Sequence, residues 1–238
     1  MWSSLCGGIQ DLLIQPACAI CMQPLASLTN AEEPCPKCRQ CLGLADIPLQ
    51  GLDPLPWLAA ARYEGRFRQI LFKLRRSQEP RLLASLIGAL NQTLPTDAVL
   101  VPIPSWKRAS RANPIPNLMV KALGREHRPL LQRCRAAVGQ HHLNRKQRWQ
   151  NQRDGFYCDR ENSIEVRQSR KGVWIVDDIL TTGATAYAAY LTLQQSNINV
   201  QGVACLARTP KAVRHSRLPA AQTGCDLQFI SREGDGPG

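Results

Sequence analysis

The chain has 238 residues, room for one ordinary domain and a small appendage at about 100–200 residues per domain. Hydrophobic residues make up 44% and charged residues 20%, which excludes collagenous and disordered classes; no run reaches the ~18 apolar residues of a membrane span. Thirty Lys and Arg against eighteen Asp and Glu give a net charge of +12 and point to an anionic partner, whereas only 5% aromatics weakens any stacking platform for single strands. The start lacks a basic leader region and carries Asp11 within its apolar part, so a cytoplasmic protein without membrane insertion is expected.

In chain order, the first feature is a crowd of cysteines. Five of the ten, Cys18, Cys21, Cys35, Cys38 and Cys41, lie among Pro16, Pro24, Pro34 and Pro36, with no helical or alternating period. Two C-x2-C pairs have the spacing of a four-cysteine zinc knuckle, in which each tight turn aims two thiolates at one tetrahedral ion. Cys18, Cys21 and Cys35 are assigned as ligands; Cys38 is taken as the fourth, with Cys41 a competing alternative. Four thiolates leave no open position, so the Zn2+ is expected to be structural. ADIPLQGLDPLPW follows as an extended linker. Residues 1–45 are thus expected to form the knuckle, 46–57 the linker, 58–230 the main domain and 231–238 a disordered tail.

Apolar residues from Phe67 to Leu74 and from Leu82 to Leu90 recur at three- and four-residue steps, predicting two helices separated at Pro80. AVLVPIP (98–104) reads as a buried strand, and Asn117–Leu123 as the start of a helix. The Arg- and Gln-rich stretch that follows reads as a long loop. Twelve basic residues and one acid, Glu126, fall between Ser105 and Arg153. GVWIVDD (172–178) is an apolar strand ending at two acids, TTGAT is a small-residue loop feeding a helix, VQGVACLAR (200–208) is a further strand, and CDLQFIS a final edge strand. Strands alternating with helices predict an α/β fold with a mainly parallel sheet and helices on both faces.

The segment VWIVDDILTTGAT (173–185) carries the chemistry. Open α/β sheets place ligands at the carboxyl ends of their strands, where Asp177 and Asp178 are expected; since successive side chains alternate, at least one should meet a ligand. Three hydroxyls, Gly183 and a following helix N-terminus suit a phosphate. No GxxxxGK[ST] or GxGxxG segment is present, which argues against nucleoside triphosphatases and dinucleotide enzymes.

This run resembles the phosphoribosyl-diphosphate motif of type I phosphoribosyltransferases. The resemblance implies that Asp177 and Asp178 hold ribose hydroxyls and that Thr181, Thr182, Gly183, Ala184 and Thr185 hold the 5-phosphate. From about Cys18 to Pro210 the chain is similar to the ComF family. Shared features are the knuckle, YEGRFRQILFKLR, VPIP, and the stretch carrying Leu130, Leu131, Arg133, Arg135, Gly139, Gln140, Leu143, Arg145, Arg148 and Asn151. Where many relatives carry an RGxNQ-type segment bordering the diphosphate, this chain has SRANPIPN (110–117).

A type I phosphoribosyltransferase-like fold is implied, with phosphoribosyl diphosphate or a related sugar phosphate as ligand. Transfer would displace diphosphate from C1, with Mg2+ and basic residues offsetting charge on the leaving group; Arg108 and Arg111 are the arginines picked for that role. The alternative implied is a non-catalytic competence factor that handles single-stranded DNA during DNA uptake, alongside a helicase.

Overall fold

The computed structural model describes residues 16–25, 33–105, 112–133 and 155–210. A five-stranded sheet has the order β1-β2-β7-β6-β3, with β1 (Leu49–Gly51), β2 (Trp57–Arg62), β3 (Val99–Pro102), β6 (Val173–Leu180) and β7 (Val200–Arg208). All neighbours are parallel except the edge strand β1, which runs antiparallel to β2. The three inner strands bury most of their side chains, as strands covered on both faces must. A separate pair, β4 (Leu131–Arg133) with β5 (Phe156–Cys158), is antiparallel.

Helices cover both faces, so the fold class read from the sequence is the one observed. One face carries α2 (Gly65–Ser77), α3 (Pro80–Thr93) and α4 (Ile115–Leu123), which bury Phe67, Ile70, Leu74, Leu86, Leu90 and Met119 against it. The other carries α5 (Arg160–Ser169), α6 (Ala184–Gln195) and the β4–β5 pair, contributing Val166, Ala189, Leu193, Leu131 and Phe156. Each fully buried large aliphatic or aromatic side chain contributes about 1.5–3 kcal/mol, so the two apolar layers hold the sheet between them. Pro80 occupies the first turn of α3, where its missing N–H costs nothing, and this is why the periodic stretch breaks into two helices there.

The short helix α1 (Pro36–Leu42) belongs to the knuckle, and Cys18, Ile20, Cys38 and Leu42 join the same apolar layer as α2 and α3. Within the segment read as a linker, Leu49–Gly51 adds β1 to the sheet. β6 continues two residues beyond the expected strand end, because Ile179 and Leu180 still pair with Ala207 and Arg208 of the long β7. The tail, the CDLQFIS strand and most of the basic stretch lie outside the described residues. No described helix is long and apolar enough to cross a membrane.

Two glycines test this packing in opposite directions. A Cβ on Gly202 would fall 2.6 Å from the Pro56 carbonyl oxygen and 2.8 Å from the Trp174 ring, so Gly202→Ala should destabilise by about 1–3 kcal/mol. Gly88 is exposed on α3 with nothing within 4 Å of its Cβ position, so Gly88→Ala should stabilise by about 0.5–1 kcal/mol. Urea unfolding of both variants measures the two signs.

Candidate functional site

Alternation along β6 sends its two acids to opposite faces of the sheet. Asp178 shares its face with Trp174 and Val176, beneath α2 and α4, and is 6% exposed. Its Oδ2 accepts from Arg75 Nε at 3.0 Å, from Arg75 Nη2 and from Asn113 Nδ2 at 2.6 Å; its Oδ1 accepts from the Ile179 backbone N–H at 2.8 Å. Arg75 stands in the last turn of α2, which leaves the carboxyl end of β2 and crosses to the carboxyl end of β6. Its guanidinium also lies 5.9 Å from the Phe72 ring centroid.

Asp177 takes the other face, with Ile175 and Cys205. Its Oδ1 accepts from the Asp178 N–H at 2.8 Å. Although the residue keeps some access to solvent, burial pushes its carboxyl well above the usual range, the Asp178 charge adds to that, and the attraction of Arg133 only partly offsets it. Arg133, on β4, donates to the Pro104 carbonyl at 2.8 Å and lies 4.6 Å over the Phe156 ring. Each acid therefore has an arginine on its own face. Burial also raises the thiol of Cys205, which pairs with Asp177 in the β6–β7 register.

The loop 181–183 joins β6 to α6. Thr181 is exposed, Thr182 and Thr185 are half-buried, and Gly183 and Ala184 are buried. Gly183 has φ +81°, and a Cβ there would lie 2.4 Å from Pro54 Cγ, so both the turn and the close approach of the 46–57 segment require glycine. Thr182 Oγ1 accepts from the Ala184 N–H at 3.3 Å, while no side chain caps α6 from Gly183. Arg208, 8% exposed at the end of β7, donates to the Leu180 carbonyl at 2.8 Å and to that of Thr181, and lies 5.4 Å over the Trp57 ring. With its carbonyl held down by Arg208, the loop keeps its hydroxyls and the α6 amide end at the sheet edge.

Sequence reasoning missed Arg75, Arg208 and Asn113 as members of this site. Arg75 ends the YEGRFRQILFKLR run and Arg208 ends VQGVACLAR, and only the fold brings them to the acids and the loop. Asn113 falls in the SRANPIPN segment, where its amide takes a specific place on Asp178. Arg108 and Arg111 lie outside the described residues.

In the knuckle, the Sγ atoms of Cys18, Cys21, Cys35 and Cys38 all lie within 4.8 Å of one another. Cys35 caps α1 and accepts from the Cys38 N–H at 3.5 Å, while Cys18 Sγ accepts from the Cys35 N–H at 3.4 Å. Burial tends to raise the Cys18 thiol, but N–H groups of Cys35, Cys21 and Ile20 outweigh it and bring the pKa down to about 7. This donor set could hold a metal such as zinc. Cys41, three residues on along α1, is outside the cluster and its sulfur is in a disulfide. A cavity of about 390 Å³ between α1 and α3, lined by Arg39, Asp46, Gly88 and Asn91 among others, lies apart from the paired acids.

No family model matches the chain. It is 26% identical over 216 residues to the DNA utilization protein YhgH of Salmonella typhi, covering 81% of this chain and 90% of that protein. This relative supports the ComF resemblance. A crystal structure of adenine phosphoribosyltransferase aligns at 20% identity and a TM-score of 0.33, over 55% of this chain and 72% of the other.

Two outcomes are expected. A folded-state pKa for Asp177 above its unfolded value of about 4 means the folded chain binds the extra proton, so stability falls as pH rises through that interval and stays lowered above it. Asp177→Asn should therefore raise the urea midpoint at pH 8 and leave it nearly unchanged near pH 3.5. Elemental analysis of purified protein should find one zinc per chain in wild type and in Cys41→Ser, and less than half an equivalent in Cys38→Ser.

Proposed function

We propose that this chain binds phosphoribosyl diphosphate, as its Mg2+ complex, at the carboxyl edge of β6. The observation that carries this is the conjunction at one sheet edge of two acids and a glycine-turned hydroxyl loop at a helix N-terminus. The acids are acceptors for ribose hydroxyls, while the loop and the α6 amides suit the 5-phosphate.

In this reading Asp177, which keeps some access to solvent, takes a ribose hydroxyl, and Thr181, Thr182 and Thr185 with the 183–185 amides surround the phosphate. Arg208 and Pro54 hold the loop from below. Mg2+, arriving with the substrate, supplies charge neutralisation at the diphosphate. Transfer would break the C1–oxygen bond, sending its electron pair to the departing diphosphate, while an acceptor nucleophile bonds C1 through an oxocarbenium-like state. Cys18, Cys21, Cys35 and Cys38 would hold a zinc ion in a structural role, since four thiolate ligands would leave no position for a reacting group.

A second reading is favoured by the YhgH relative, whose name concerns DNA utilization, and by the +12 charge: a non-catalytic competence factor handling single-stranded DNA alongside a helicase. The two readings part on one pair of substitutions. Calorimetric titration of phosphoribosyl diphosphate with Mg2+ should give saturable heat in wild type and none in the Asp177→Asn, Asp178→Asn double variant; equal heats in both would remove the site. Salt-sensitive single-strand binding that survives the same pair would assign DNA to a different surface.

A further inference from the structure

We propose that Arg75 is a diphosphate-binding residue of the sheet-edge site, paired with Asp178 in this structure and exchanging that carboxylate for the diphosphate arm when the sugar phosphate enters. The proposal rests on the ribose-phosphate reading of 177–185 given above and adds to it the residue that receives the leaving group.

Lone pairs on Asp178 set the constraint. A carboxylate offers about four acceptor positions, and four N–H bonds already converge on this one. Three of them crowd onto Oδ2. Oδ2 thus has more donors than lone pairs, and a ribose hydroxyl can donate to this oxygen only if one of them leaves. The Ile179 N–H is part of β6 and stays.

Asn113 is fixed twice more. Its backbone N–H donates to Ser105 Oγ at 2.9 Å, and its Oδ1 accepts from the Ile115 N–H at 3.3 Å, at the start of α4. Arg75 is different. Apart from Asp178, its contact among the described residues is the face of Phe72, and its side chain is 31% exposed. Of the three donors, it is the one whose departure breaks no second hydrogen bond and returns a charged group to water.

The guanidinium also has the chemistry for the other half of the exchange. Its planar fork pairs bidentately with phosphoryl oxygens, and a diphosphate carries more negative charge than one carboxylate. Arg75 leaves Asp178 for a stronger anion at the same sheet edge, and Asp178 Oδ2 is released to accept from the ribose hydroxyl. One charge-assisted pair replaces another, so the buried acid is never left without a donor.

Two ligands separate this role from simple positioning of Asp178. Ribose 5-phosphate and phosphoribosyl diphosphate, each with Mg2+, are titrated into wild type, Arg75→Gln and Arg75→Lys. Arg75→Gln should weaken phosphoribosyl diphosphate at least tenfold while binding ribose 5-phosphate as tightly as wild type or more so; Arg75→Lys, which keeps the charge and loses the fork, should fall between. Should Arg75→Gln fail to fold by circular dichroism, Arg75→Lys carries the same ligand split. Equal weakening of both ligands overturns the proposal and leaves Arg75 a support for Asp178; unchanged phosphoribosyl diphosphate affinity overturns it also. If wild type binds neither ligand, the ribose-phosphate reading itself fails, an outcome distinct from a wild type that binds both and a variant that shows no split.

Discussion

The structure turns on the pair of carboxylates placed side by side near the end of a buried parallel strand. Strand alternation forbids them from sharing a face, so each has its own compensation drawn from a different part of the chain. For Asp178 that is Arg75, delivered by α2 across the sheet edge, with Asn113 from the segment before α4. For Asp177 it is Arg133, delivered by the β4–β5 pair on the far face. The path of α2 and the position of the small second sheet both bring a cation to one of these acids. Without Arg75 and Asn113 the Asp178 charge would stand in a low-dielectric layer at a cost of several kcal/mol, whereas at Asp177 Arg133 only partly offsets a carboxyl that burial raises.

The 181–183 loop is held from below in a comparable way. Pro54 fills the space where any side chain at residue 183 would lie, and Arg208 pins the Thr181 carbonyl. Pro54 belongs to the segment that joins the cysteine knuckle to the sheet. The knuckle itself is packed into the α2–α3 layer through Cys18, Ile20, Cys38 and Leu42, so it shares a hydrophobic core with the helix that carries Arg75. A metal ordering the four sulfurs would therefore also steady the helix that carries Arg75, because the energy of gathering thiolates around an ion is folding energy for what packs against them.

Most of the scaffold was legible in the sequence for physical reasons. The two helices split at Pro80, the strands at 99–102, 173–180 and 200–208, and the helix to Leu123 are long or strongly apolar, and periodicity reads them directly. Other elements depend on their neighbours. β2 is WLAAAR, an alanine run with weak strand preference that becomes a strand because β7 and β1 flank it. β1 hides among prolines, and the polar α5 buries little besides Ser163 and Val166. The acids and the hydroxyl loop could be found by motif, but Arg75 lies 103 positions from Asp178 along the chain. No spacing rule reaches that far; only the crossing of α2 over the sheet edge does.

The basic stretch shows how net charge misleads when it is read as surface. Arg125 donates to Asn91 and to the carbonyls of Leu94, Leu123 and Pro95, so it closes the ends of α3 and α4. Arg128 bridges Glu126 and Glu165, and Arg133 is spent on the Pro104 carbonyl and the field of Asp177. These three cations are thus committed within the fold. A polyanion drawn by the +12 charge must find its contacts on other residues, and an arginine held only by a partly accessible carboxylate pair is more readily recruited than one that caps a helix. Arg75 is placed in that first way, at the edge where the acids and the hydroxyl loop meet.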